Sequence, residues 1–173
     1  LRQGEVSNIQ LQDLHISNPE LQRHFPNLGS HRRLEGHQDA LYVPGRDVRN
    51  GNKSERPRLL PLDDELRHVL LRYLLVRPHN GEPWLFLTLK THGKITDNAT
   101  INDIWRGAFH PEYAETEEHR GVTSHFGRHW FTTFWRVKQD VNRERIKYMR
   151  GDTAGRRNIE KRGAIDEYIH AYY

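Results

Sequence analysis

One helical segment, at residues 63–78, constrains the fold of this chain more than any other stretch. It opens with the acidic run Asp63-Asp64-Glu65, which is favourable at the positive end of a helix dipole, and Pro78 ends it. The apolar residues between these limits recur at helical spacing: Leu66, Val69, Leu70, Tyr73 and Leu74. The pattern therefore predicts an amphipathic helix with one apolar face.

A β-hairpin is predicted directly before this helix. Leu41-Tyr42-Val43 and Arg58-Leu59-Leu60-Pro61-Leu62 are short strand-like segments, and Asn50-Gly51-Asn52 between them is a strong turn signal. The connection between the strands is rich in basic residues: Arg46, Arg49, Lys53, Arg56 and Arg58.

Further helices are predicted in the second half of the chain. They cover residues 98–109, a segment from Thr123 or Ser124 to about Val137, residues 142–149 with an end at Gly151, and residues 164–173. The second of these carries an apolar aromatic face: Phe126, Trp130, Phe131, Phe134 and Trp135. The chain is therefore predicted to be mainly α with a small antiparallel β-sheet, an α+β fold.

Composition narrows the class of protein. The 173 residues suffice for one domain with a real core, and no apolar run is long enough to span a membrane. Cysteine is absent, which excludes disulfides and thiolate sites and fits an intracellular protein. The formal charge of +4 and the pI of about 9.5 favour a polyanionic partner.

His125 and Arg128 form the most informative pair of polar residues. They stand at i and i+3 in the first turns of a predicted helix, where backbone N–H groups favour an anion. His125 and His129 also have the spacing of a helical zinc pair, but no Glu lies between them and no third ligand is evident, so no metal site is predicted.

Four segments resemble, in order, the motifs of the tyrosine recombinase (phage integrase) family. Residues 1–6 resemble L-R-x-G-E, residues 58–62 resemble R-x-x-P-L, residues 122–129 resemble T-P-H-x-L-R-H, and residues 168–170 resemble Y-x-H. Residues 148–152 are similar to archaeal members of the family. The resemblance covers nearly the whole chain and implies the recombinase catalytic-domain fold.

The resemblance also implies roles for individual residues. Arg2 and Arg128 would hold the scissile phosphate, because a guanidinium offers two parallel donors to phosphate oxygens. His125 would donate a hydrogen bond or shuttle a proton, and Tyr168 would be the nucleophile that forms a 3′-phosphotyrosine link. A lysine would protonate the leaving 5′ oxygen. No metal or other cofactor is required, because the arginines supply the electrostatic stabilisation.

Two positions depart from the family pattern. The histidine or tryptophan of an L-G-H motif is replaced by Asp152 after Gly151, and this carboxylate could accept a hydrogen bond from an arginine or touch a phosphate through water. The lysine of the hairpin is assigned to Lys53, with Arg46 as the alternative; arginine is a poor proton donor because it hardly deprotonates.

The nucleophile and the termini leave further alternatives. Tyr168 is preferred because His170 completes Y-x-H, and Tyr172 and Tyr173 are the rivals. Residues 1–173 are interpreted as a single catalytic domain, truncated at the N-terminus so that the core-binding domain is absent, and truncated also at the C-terminus.

The predicted function is that of a site-specific recombinase that cuts and rejoins double-stranded DNA. It would act as a homotetramer on paired DNA sites, in the cytoplasm and not in a membrane. The remaining basic residues of the hairpin would contact the DNA backbone: Arg46, Arg49, Arg56 and Arg58. The alternatives are a catalytically degenerate DNA-binding module of the same fold, a type IB topoisomerase-like enzyme and an unrelated helical DNA-binding regulator.

Overall fold

The protein is described by a computed structural model that covers residues 1–109, 112 and 122–152. These residues belong to two compact units. The sheet unit is Gly4–Thr96, and the helical unit contains Leu1–Gln3 together with the described residues from Asp97 onward. Within the described part of the chain, no helix is both long and apolar enough to cross a membrane.

The sheet unit is built around three short antiparallel strands. They are β1 (Leu14–His15), β2 (Ala40–Val43) and β3 (Arg58–Pro61), with β2 in the centre. Its helices are α1 (Gln3–Asn8), which begins one residue before the unit, α2 (Pro19–His24) and α3 (Asp64–Val76); single 3-10 turns lie at Leu11–Asp13 and Arg32–Leu34. The predicted hairpin is confirmed as β2 and β3, and the α+β class is confirmed with it.

Helix α3 has the ends that the sequence predicts. The Asp63 carboxylate caps it by accepting a hydrogen bond of 2.7 Å from the backbone N–H of Leu66. Leu70 and Leu74 are buried in the core of the sheet unit. Leu66 and Val69 are 44% and 61% exposed, so the predicted apolar face is wider than the face that the fold covers.

The turn at residues 50–52 is held against helix α1. The Asn8 side-chain amide donates to the Asn50 carbonyl and to Asn52 Oδ1, both at 3.1 Å. Gly51 has a φ of +95°, and a Cβ on Gly4 would lie 2.7 Å from the Gly51 carbonyl oxygen. Both glycines are therefore required by backbone geometry, one for its conformation and one for close approach.

The helical unit contains three described α-helices and one π-helical segment. They are α4 (Asn98–Gly107), α5 (Ser124–Thr133), which continues into a π-helical segment at Phe134–Lys138, and α6 (Arg143–Arg150). The predicted extent of the aromatic helix is confirmed, but its last part is π-helical. Trp130 is 56% exposed and Ile104 is 61% exposed, so the apolar faces of α5 and α4 are only partly buried.

Gly127 lets α4 and α5 approach each other closely. A Cβ at this position would lie 3.1 Å from Cη2 of Trp105. The indole ring of Trp105 occupies the space next to the helix. The close contact between α4 and α5 therefore depends on the absence of a side chain at Gly127.

An arginine cluster as the candidate functional site

The candidate site is organised by the C-terminal end of helix α6. Gly151 ends the helix in the left-handed conformation, with a φ of +69° that glycine adopts without a steric penalty. Its N–H donates to the Tyr148 carbonyl at 3.0 Å, and the N–H of Asp152 donates to the Lys147 carbonyl at 2.9 Å. These two hydrogen bonds fix the backbone of Asp152 directly beyond the helix end.

Three arginines contact the carboxylate of Asp152. Nη2 of Arg2 donates to Oδ1 at 2.8 Å, and Nη2 of Arg128 donates to the same oxygen at 3.0 Å. Nε of Arg150 lies 3.0 Å from Oδ2. The fold thus brings Arg2 and Arg128 together, although they are far apart in the sequence. Asp152 was expected either to accept a hydrogen bond from an arginine or to touch a phosphate through water. In the structure it accepts hydrogen bonds from Arg2 and Arg128.

The last carbonyl groups of α6 add a second contact for each outer arginine. Nη1 of Arg2 donates to the Gly151 carbonyl at 3.1 Å, and Nη1 of Arg128 donates to the Arg150 carbonyl at 3.2 Å. Carbonyl groups at a helix C-terminus lack partners within the helix and carry partial negative charge, which favours cations there. Each guanidinium is therefore held at two points, one carbonyl and one carboxylate.

Arg150 is the buried member of the cluster. Its side chain is 4% exposed, and its Nη1 donates to Thr132 Oγ1 at 2.9 Å. The Thr132 hydroxyl in turn donates to the backbone carbonyl of Arg128 at 2.8 Å. Arg150 and Thr132 thus connect α6 to α5 beneath the two outer arginines. Neither residue was among those predicted from the sequence.

The cluster contains more basic than acidic side chains. Its four side chains comprise three guanidinium groups and one carboxylate. Exposure decreases from Arg2 at 26% and Asp152 at 21% to Arg128 at 11%. An anion that comes from solvent would therefore meet Arg2 first. The arrangement can bind a phosphate or another oxyanion.

The two histidines of α5 have different environments. His125 is exposed in the first turn, while His129, one turn further along, is partly buried. Burial lowers the pKa of His129, and electrostatic interactions with His125, Arg150 and Arg128 lower it further. The neutral form of His129 is therefore favoured. Among the residues that the structure describes, no group of three or more His, Asp or Glu side chains could hold a metal ion.

The hairpin residues Lys53, Arg46 and Arg56 are exposed on the sheet unit. Arg46 forms an ion pair of 3.2 Å with Glu55, and both side chains are more than half exposed. Lys53 directly follows the turn that α1 holds in place. All three side chains can be reached by a ligand from solvent.

Arg49 and Arg58 have a different position from the one expected. Arg49 forms an ion pair of 2.5 Å with the fully buried Asp13. Arg58 makes two hydrogen bonds with Glu5, of 3.1 and 2.7 Å, and its side chain is 1% exposed. The expectation that these two arginines contact DNA is corrected, because their guanidinium groups are directed into the sheet unit by buried carboxylates.

The three candidate nucleophiles, Tyr168, Tyr172 and Tyr173, lie outside the described residues.

In comparisons with known proteins, no protein-family model, no characterised protein and no solved structure is significantly similar to the chain. The resemblance to tyrosine recombinases therefore stays a prediction, and the geometry of the arginine cluster carries the functional argument.

Proposed function

We propose that this chain is the catalytic domain of a DNA strand transferase of the tyrosine recombinase type. The observation that carries the proposal is the contact of Arg2 and Arg128 with one carboxylate oxygen of Asp152. Two guanidinium groups oriented on a single oxygen provide a geometry that suits the non-bridging oxygens of a phosphodiester. In the proposed fold, that of a recombinase catalytic domain, these two arginines form the phosphate clamp.

The proposed reaction proceeds without an external energy source. The Tyr168 oxygen attacks the phosphorus atom, and the bond from phosphorus to the 5′ oxygen breaks. Lys53 gives a proton to that oxygen, and His125 takes up or relays the proton of the tyrosine. The arginines stabilise the charge of the pentacoordinate transition state. The 3′-phosphotyrosine bond is then attacked by a new 5′ hydroxyl, which releases Tyr168 and rejoins the strand.

Trapping the covalent intermediate tests this proposal. The full-length protein would first be used to select a binding site from a library of duplexes, and that site would then be nicked next to the cleavage position. Wild type is expected to give a protein–DNA band that resists denaturant, and Tyr168→Phe is expected to give none. Tyr172→Phe and Tyr173→Phe are the matched controls. A band from Tyr168→Phe would show that the nucleophile is another residue, and no band from wild type would refute strand transfer.

The proton donor is tested with a substrate whose 5′ bridging oxygen is replaced by sulfur. A thiolate leaves without protonation, so the sulfur substrate should restore cleavage by Lys53→Ala and leave other defects unchanged. Arg46→Ala is the matched control in the same exposed loop. If the sulfur substrate rescues Arg46→Ala and not Lys53→Ala, the assignment of the lysine is wrong.

A second candidate function is DNA binding without catalysis by the same fold. Asp152 favours it, because a carboxylate engaged by three arginines cannot donate a proton as the histidine of the L-G-H motif does. This candidate predicts salt-dependent binding of the selected duplex and no covalent band. Relaxation of supercoiled DNA without a paired site would instead indicate a topoisomerase-like activity. Assembly of four copies on two sites, seen by native mass spectrometry, would support the proposed homotetramer.

A further inference from the structure

We propose that Asp152 and Arg150 are positioning residues that hold the clamp arginines, Arg2 and Arg128, ready for a phosphate. This inference rests on the proposed function only in taking phosphate as the ligand. Asp152 would orient the two guanidinium groups, and Arg150 would hold the Asp152 carboxylate in place. The pair would thereby take a structural part in the clamp at the position where the family motif has a histidine.

The contacts of Asp152 define the orientation of both clamp arginines. Its Oδ1 accepts from Nη2 of each, and a neighbouring carbonyl of the α6 end accepts from each Nη1. Two contacts on each guanidinium group restrict its orientation. Ordering a long side chain opposes binding when it occurs only on association, so arginines that are already ordered bind an anion more tightly.

Arg150 acts on the clamp through Asp152. Because its side chain is 4% exposed, a ligand in solvent would contact the clamp arginines and not Arg150. Nε lies beside Oδ2 of Asp152 while Nη1 is fixed by Thr132, so the guanidinium spans the carboxylate and α5. Without this cation, one carboxylate oxygen would lose its partner, and the carboxylate could rotate away from the clamp arginines.

The opposite role for Asp152 is that of a counterion that competes with phosphate. In that case, removal of the carboxylate would strengthen phosphate binding. The geometry argues for positioning, since Oδ1 of Asp152 accepts from both clamp arginines while a carbonyl at the end of α6 accepts from each Nη1. The two roles predict effects of opposite sign, which makes them separable by one titration.

The first experiment titrates the full chain with inorganic phosphate and follows the arginine Nε–Hε signals by NMR. Arg150→Met and Asp152→Ala are each expected to weaken the affinity for phosphate, followed by the shifts of Arg2 and Arg128, by about tenfold or more. Arg150→Lys, which keeps the charge, should restore part of the affinity. Arg145→Met is the matched control, because Arg145 is exposed on the same helix. Tighter phosphate binding by Asp152→Ala, or unchanged binding by Arg150→Met, would overturn the proposal.

Two further measurements separate positioning from a loss of folding. Asp152→Glu keeps the charge but moves it by one methylene, so it should retain the backbone NMR spectrum of the wild type and still bind phosphate more weakly. On the nicked duplex, Arg150→Met should lower the cleavage rate at saturating protein by about 10- to 100-fold. Its affinity for the intact duplex should change less than about threefold, because that affinity is spread over many phosphates.

Parallel losses of affinity and cleavage rate in Arg150→Met would indicate a general structural role and overturn the proposal. So would wild-type phosphate binding by Asp152→Glu. If the wild type forms no covalent complex, the proposed strand transfer fails, and the phosphate titration alone decides the role of the pair.

Discussion

The ion pair between Glu5 and Arg58 permits the sharpest test of how the sheet unit is stabilised. The side chains are 0% and 1% exposed, and two hydrogen bonds of 3.1 and 2.7 Å join them between α1 and β3. In Arg58→Met the carboxylate of Glu5 stays buried and loses both bonds. Removal of one partner from a buried ion pair costs about 3–5 kcal/mol, most of it from the charge left behind.

This loss is large relative to the stability of a typical domain. Domains unfold with about 5–15 kcal/mol, so Arg58→Met should lose about a fifth of that or more. For a chain of this size each kcal/mol lowers the melting temperature by about 2–4 °C, which gives a decrease of roughly 6–20 °C. The assays are urea unfolding and thermal unfolding, both followed by circular dichroism. Arg23→Met is the matched control, since its ion pair with Glu20 is more than 70% exposed and should contribute at most about 1 kcal/mol.

The double variant Glu5→Met with Arg58→Met completes the test. Apolar replacement of both partners removes the stranded charge, so the double variant should be more stable than Arg58→Met alone. The two single losses should therefore fail to add by a few kcal/mol, as expected for residues in contact. A loss below about 1 kcal/mol in Arg58→Met, or additive single losses, would refute the inference that this pair is desolvated and coupled.

Three further predictions concern the core, the pH response and the helix contact. Arg77 is buried and donates to four backbone carbonyl groups. Arg77→Met should therefore lower the free energy of unfolding in urea by about 3 kcal/mol or more. Arg72→Met, at an exposed position, should lower it by about 0.5 kcal/mol, and equal losses would contradict the prediction. The lowered pKa of His129 means that the unfolded chain binds a proton more readily, so its contribution to stability should fall as pH drops below 6.5; an NMR titration midpoint at or above that value would refute it. Gly127→Leu should displace Trp105, lower stability by about 1–3 kcal/mol and shift the tryptophan emission; an unchanged spectrum would count against the contact.

Helix ends were predictable because their signals are local. Asp63 caps α3, and Asn142 and Gly151 delimit α6 as the sequence indicated. Helix α2 was missed although Asn18 caps it and Pro19 stands at its first position, both of which are start signals. A helix of six residues is too short to show apolar periodicity, so only its start could have indicated it.

Burial was less predictable than secondary structure. Periodicity gives the direction in which a side chain lies around a helix, but not which parts of the chain cover it; Val69 and Trp130 are therefore on predicted apolar faces and still exposed. The sequence pattern likewise does not show whether a charged side chain is buried. The hairpin sequence does not reveal that Arg49 and Arg58 lie inside, because their partners Asp13 and Glu5 come from segments that are distant in sequence.

The proximity of Arg2 and Arg128 was predictable from the order of the motifs that the chain resembles, and Asp152 was predicted to accept from an arginine or to contact phosphate through water; the contact of Arg150 with Asp152 was not predicted. Arg2 and Arg128 were expected to act together, and the structure places both on Asp152. An aspartate where the motif has histidine exchanges a neutral or cationic donor for an anionic acceptor. A partly buried anion needs cationic partners, and the residue that supplies one from beneath, Arg150, stands where the motif has an apolar leucine. The two departures are therefore in direct contact, since Nε of Arg150 lies 3.0 Å from Oδ2 of Asp152.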